Sequence, residues 1–130
     1  MEKKFFDKGF KLGILGGGQL GRMFIQEAIN YNIHVSILDP ASNAPCADSA
    51  HDFVIGDFND FDTVLNFGRN MDVVTIEIEH VNVTALYELE RLGVKVFPQP
   101  KVIELIQDKG LQKEFYQTNN IASSSYQLID

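Results

Sequence analysis

Residues 11–23 read KLGILGGGQLGRM, an apolar strand-like run that breaks into three glycines and continues as a helix-like stretch. Gly16, Gly18 and Gly21 satisfy the pattern GxGxxG. Glycine permits a tight turn and close backbone approach, and the helix that follows presents free N–H groups and a partial positive charge to an anion. The pattern alone does not name the anion, since glycines also serve simply to pack a helix against a strand.

On either side, short Val- and Ile-rich runs alternate with longer helical patterns. The runs at 11–15, 34–38, 52–55, 72–76 and 94–97 have the apolar character of buried parallel strands. Helices are expected over 19–31, 60–67 and 82–92. In the first of them Leu20, Phe24, Ala28 and Tyr31 recur at helical spacing, which predicts that this face lies on the sheet. Asn82 or Thr84 is placed to cap the third helix, and Gly93 follows it as a C′ residue does. Strand–helix alternation with right-handed crossovers predicts a doubly wound α/β fold with strand order 3-2-1-4-5.

Beyond residue 97 the pattern changes. Pro98-Gln99-Pro100 interrupts the alternation, residues 101–119 read as one helix containing Gly110, and SSSYQLID at 123–130 reads as a loop entering another strand. A boundary is therefore expected near residue 100, with domain one over 1–100 and the beginning of a second over 101–130.

With 130 residues, 45% hydrophobic and 22% charged, the chain has the composition of a soluble globular domain. Its net charge of −7 argues against a nucleic-acid partner, which requires a basic surface. A single phosphate can still be held locally by backbone N–H groups. The single cysteine, Cys46, has no CxxC partner, reads as a buried or loop thiol, and suits a reducing, cytoplasmic setting. Asp7 and Gly9 interrupt any signal-peptide core in the opening MEKKFFDKGFKLGIL, which reads as a short extension. No run of about 18 apolar residues is present, so no membrane helix is expected.

Three further stretches carry chemistry. Asp39 ends the second strand and opens a proline-bearing loop, Asp39-Pro40 to Ala47; in a dinucleotide site it would accept from a ribose hydroxyl. Val74–Val81 reads VTIEIEHV, with Glu77 and Glu79 at the end of the fourth strand. Residues two apart in a strand point the same way, and unpaired carboxylates are costly among apolar residues, so both are expected to face the crevice beside the glycine loop. His80 has no second histidine nearby, so a metal site here is not expected. Lys109 and Lys113 stand four apart on the expected last helix, on one face that meets either phosphate or solvent.

Taken together, these stretches resemble the N-terminal region of the 5-(carboxyamino)imidazole ribonucleotide synthases, the ATPase components of bacterial phosphoribosylaminoimidazole carboxylase and members of the ATP-grasp superfamily. The resemblance rests on GGGQLGRM at Gly16–Met23, on the spacing of Asp39, Pro40, Pro45, Ala47 and Ala50, on TIEIEHV at Thr75–Val81 and on QDKGLQK at Gln107–Lys113. Departures are Ile76 and Ile78 for aromatics, Cys46 for a small residue and Asn120-Ile121-Ala122 for a Gly-Ile-Pro-like turn. A sister family, the formate-dependent glycinamide ribonucleotide transformylases, usually has glutamate where this chain has Gln19.

The resemblance implies a Rossmann-like pre-ATP-grasp domain followed by a linker helix and the start of an ATP-grasp domain. It implies an ATP-dependent ligase that carboxylates 5-aminoimidazole ribonucleotide with bicarbonate through carboxyphosphate. Gly18, Gln19 and Leu20 would then lie against the ribonucleotide, with Glu77 and Glu79 accepting from its ribose or amine. Lys109 stands where the family commonly has an ATP-binding arginine; lysine keeps the charge and loses the bidentate fork. No catalytic residue is assigned within these 130 residues, the Mg²⁺ carboxylates are expected outside them, and the fragment alone is expected to be inactive. A full-length homodimer is implied by the family only. Two other readings remain at this point: an NAD-dependent dehydrogenase using Asp39 on ribose, for which no hydride-transfer residues can be named, and a nucleotide-sensing module without chemistry.

Overall fold

A computed structural model describes residues 7 and 9–127. Five strands, β1 (Lys11–Leu15), β2 (His34–Asp39), β3 (Asp52–Ile55), β4 (Val73–Ile76) and β5 (Lys95–Phe97), form one parallel sheet in the order β3-β2-β1-β4-β5. This is the order expected from the alternation. Leu15 stands opposite Leu38 on one side and Ile76 on the other, so the central strands end at one level. In open parallel sheets this is the edge at which ligands bind.

Side chains alternate between the sheet's faces and divide the core in two. Leu12, Ile14, Val35, Ile37 and Val73 pack with Ile25 and Ala28 of helix α1 (Gln19–Asn30). Leu15, Leu38, Val74 and Val96 pack with α2 (Phe61–Gly68), α3 (Val83–Arg91) and Ile103 of α4 (Pro100–Gln107).

Of the apolar face predicted for α1, Ala28 docks on the sheet, but Leu20, Phe24 and Tyr31 do not. Gly21, Ile25 and Ala28 are buried, whereas Leu20, Phe24 and Tyr31 are exposed. The cause is closeness: a Cβ on Gly21 would lie 3.1 Å from Cys46 Sγ, so the smallest residue of the helix decides which side approaches the sheet. A larger side chain at that point would hold the helix off. The long apolar residues are left on the rim instead.

Helix ends follow local chemistry. Asp60 caps α2 through Thr63 N, and Asn82, rather than Thr84, caps α3 by accepting from Ala85 N at 2.9 Å. Gly93 follows α3 with a φ of +90°, a conformation that glycine adopts without strain. Asn82 also donates to Asn59 O at 3.0 Å, which ties α3 to the loop before α2. Asn82→Ala is expected to lower stability by about 1 kcal/mol, read as a lower urea midpoint at unchanged m-value. An unshifted midpoint would show that the cap contributes nothing.

The single helix expected over 101–119 is two. α4 ends at Gln107 and α5 (Lys109–Thr118) begins at Lys109, with Asp108 extended between them at ψ 107° and capping α5 through Leu111 N at 3.0 Å. Aspartate favours such caps over helix interiors because its short carboxylate competes for nearby backbone N–H groups. Residues 121–127 contain no strand; 128–130, where the expected terminal strand continues, and 1–6 and 8 of the expected extension lie outside the described residues.

Candidate functional site

The glycine loop is held by named contacts on both sides. Gly16 N donates to Leu38 O at 2.9 Å, and Gly17 N donates to Asp39 Oδ2 at 2.7 Å. Cys46 N donates to Gly17 O at 3.0 Å, and the Cys46 thiol points at Gly18 O at 3.5 Å. Gly16 has a φ of +100°, which only glycine adopts without strain, and a Cβ there would lie 2.9 Å from Glu77 Oε2. The loop then delivers the N-terminus of α1 with no side-chain cap and no acidic residue in its first turn. Gln19 and Leu20 are exposed there. Uncapped first-turn N–H groups with the helix dipole behind them suit an anion.

Beside the loop, Glu77 N donates to Leu15 O at 2.8 Å, extending the β4–β1 pairing by one residue. Its side chain folds over the loop: a Cβ on Gly18 would overlap Glu77 Oε1. The backbone departs from the strand after Ile76, so Glu77 and Glu79 stand in a bend rather than in β4. The same-side rule for a strand does not apply to them. Beside Gly16 the nearest side chains are those of Glu77 and Ile78, and Glu79 is not among them. The backbone carbonyl of Glu79 accepts from Val81 N at 2.9 Å and from Gln107 Nε2 at 2.7 Å.

Gln107 also donates to Val81 O at 2.8 Å, so one side-chain amide bridges two carbonyls of the carboxylate-bearing loop. In the sequence it stands out only as the first residue of the QDKGLQK motif, and its long-range contacts are not visible there. Asp39 likewise differs from its dinucleotide reading. Oδ2 accepts from Gly17 N and Oδ1 from Ala41 N at 2.8 Å, so the carboxylate braces the glycine loop against its own loop.

Cys46 is fully buried beneath the loop, as a structural thiol. Burial pushes its pKa up, and the nearby carboxylates of Glu77 and Asp39 push the same way against Arg22. A buried thiol whose thiolate is disfavoured in this way is a poor nucleophile. Lys109 is exposed at the first turn of α5. Lys113 instead donates to Ser123 Oγ at 2.5 Å and Ser124 Oγ at 3.2 Å, which commits it to the C-terminal segment. His80 is exposed, and among the described residues no group of three or more His, Cys, Asp or Glu is placed to hold a metal. No helix among them is long and apolar enough to cross a membrane.

Comparison with known proteins gives a consistent set of similarities. Residues 10–107 match the ribonucleotide synthetase preATP-grasp domain. Phosphoribosylaminoimidazole carboxylase of Ogataea methanolica is 45% identical over 114 residues, which cover 85% of this chain and 21% of that protein. The crystal structure of N5-carboxyaminoimidazole ribonucleotide synthetase from Thermotoga maritima superposes with a TM-score of 0.83 at 37% identity, over 93% of this chain and 34% of that one. An Aspergillus clavatus N5-carboxyaminoimidazole synthase, solved with ADP and 5-aminoimidazole ribonucleotide, gives a TM-score of 0.76 at 45% identity over 85% of this chain and 29% of that one. The chain thus spans about a fifth of the length of the curated carboxylases it matches.

Proposed function

Because the chain belongs to the ribonucleotide synthetase pre-ATP-grasp family, we propose that it is the N-terminal portion of an ATP-dependent ligase of purine biosynthesis. The full-length enzyme carboxylates 5-aminoimidazole ribonucleotide with bicarbonate. ATP phosphorylates bicarbonate to carboxyphosphate and leaves as ADP; the substrate amine then attacks the carboxyl carbon, loses a proton and expels phosphate. The relative solved with ADP and this ribonucleotide supports the substrate assignment.

The observation that carries the reading is the pairing of an uncapped α1 N-terminus with the carboxylate of Glu77 folded over Gly16 and Gly18. Together they offer donors for a phosphate and an acceptor for the hydroxyl or amine groups of the same small molecule. In this scheme the N–H groups from Gly18 to Leu20 hold the anionic part of the ribonucleotide, and Glu77, aided by Glu79, accepts from its ribose or amine.

Lys109 is the residue of this chain placed to hold ATP, as a point charge on a phosphate. Mg²⁺, which would neutralise the nucleotide's phosphates, has its ligands beyond these residues, and bicarbonate is bound there as well. Residues 1–100 form the pre-ATP-grasp domain; residues 101–130 provide a linker helix, docked through Ile103, and the start of the ATP-grasp domain. The full-length protein is a cytoplasmic homodimer, and the fragment alone does not turn over.

The test is ADP release by the full-length enzyme with bicarbonate present. Added 5-aminoimidazole ribonucleotide is expected to stimulate it, and Glu77→Ala is expected to abolish the stimulation. Unchanged stimulation in Glu77→Ala would remove this residue from the site, and no stimulation of the unaltered enzyme would sink the function.

A further inference from the structure

The two parts of the proposed site lie on separate elements, with the carboxylates on the bend after β4 and Lys109 at the start of α5. The side chain of Gln107 joins them. Its Nε2 donates to Glu79 O at 2.7 Å and to Val81 O at 2.8 Å, across 28 and 26 residues of sequence. A primary amide has two N–H donors on one nitrogen, and here each is matched to one carbonyl. Because both partners are acceptors, only the nitrogen end of the amide can face them.

Gln107 is also the last residue of α4. Asp108 follows as the extended cap of α5, and Lys109 is that helix's first residue. The α4 side of this junction is fixed to the domain by Ile103, fully buried in the core with α2 and α3. Three consecutive residues therefore grip the carboxylate loop, set the turn and present the cation. The grip matters because the bend has left the sheet: after Glu77 N, no ladder hydrogen bond to β1 is present to set the course of residues 78–80.

We infer that Gln107 is a positioning residue, whose amide fixes the Glu77–Val81 bend against the α4–α5 junction and thereby sets where Glu77 meets the ribonucleotide. It does not touch the substrate. The inference rests on the ligase reading and deepens it by joining the ribonucleotide side of the site to the nucleotide side.

The test uses the full-length enzyme, titrated with 5-aminoimidazole ribonucleotide at saturating ATP and bicarbonate. Gln107→Glu keeps the shape but replaces the donor with an acceptor facing two carbonyls, and is expected to raise KM for the ribonucleotide about tenfold or more with a smaller change in kcat. Gln107→Lys restores a donor at similar reach and is expected to return KM to within about threefold of the unaltered enzyme. Gln107→Met, which fills the space without donating, guards against misfolding of the charged variant and is expected to raise KM with a melting temperature close to that of the unaltered enzyme.

A Gln107→Glu or Gln107→Met enzyme with unaltered KM would overturn the inference. So would equal defects in Gln107→Met and Gln107→Lys, because packing alone would then account for them. If the unaltered enzyme shows no response to the ribonucleotide, the functional reading itself falls and takes this one with it. A normal response with unshifted variants removes only Gln107.

Discussion

Gly18→Ala in the full-length enzyme is expected to lower kcat/KM for the ribonucleotide about 100-fold while leaving the melting temperature within a few degrees. The added Cβ would overlap Glu77 Oε1 and come within 3.0 Å of Glu77 Cδ. Something has to move, and the softest partner is the free end of a flexible glutamate. The carboxylate retreats by about 1 Å to reach van der Waals distance. Misplacement of that size is enough to cost two orders of magnitude when a group must be held at hydrogen-bond reach of a reacting molecule. Stability is largely spared, because Gly18 lies at the surface end of the loop and its φ of −73° is one that alanine adopts. An alanine variant with unaltered kcat/KM would show that the position of Glu77 against the loop has no part in binding.

Leu89→Ala is expected to have the largest effect on folding, a loss of about 2–5 kcal/mol read from urea unfolding of the 130-residue chain. Leu89 is fully buried on α3, and its side chain lies flat on Gly68, the last residue of α2. A Cβ built on Gly68 would overlap Leu89 Cδ1 and lie 2.8 Å from Cδ2, so the two positions share one volume. Emptying it from the leucine side leaves a cavity, and filling it from the glycine side alone overpacks it. The double variant Gly68→Ala with Leu89→Ala is therefore expected to be more stable than the sum of the two single losses predicts. Strict additivity would show that the two side chains do not compete for the same space.

The sheet order was legible because each strand is short and apolar and a helical pattern separates every consecutive pair except β2 and β3, and these are properties of local sequence. Two helix caps were legible for the same reason, Gly93 after α3 and Asn82 before it. The docking face of α1 was not. Periodicity identifies apolar positions but not which side can come closest, and Gly21 against Cys46 decided that at the level of packing. The break at Asp108 depended on a cap competing with helix continuation, which residue spacing does not weigh.

Within the candidate site, the glycine turn, the helix start at Gln19 and the approach of Glu77 to the loop were legible from motif and position. That Glu77 and Glu79 stand in a bend and not in β4 was hidden, since it depends on where the strand stops. The double grip of Gln107 is a long-range contact, and nothing near it in sequence announces it. The only available signal was its place in a motif, directly before Asp108 and Lys109.

Asp39 and Cys46 leave the glycine loop little conformational freedom to lose. Gly16, Gly17 and Gly18 are each anchored by a contact to Leu38, Asp39 or Cys46. The entropy of ordering this turn is therefore surrendered when the chain folds, not when a ligand arrives. In the proposed site a small anionic molecule would meet the N–H groups of Gly18 to Leu20 already in place, so more of each hydrogen bond's strength would survive as affinity. Glycine gives the loop its shape, but it is the rigid neighbours that keep so flexible a residue from taxing every binding event.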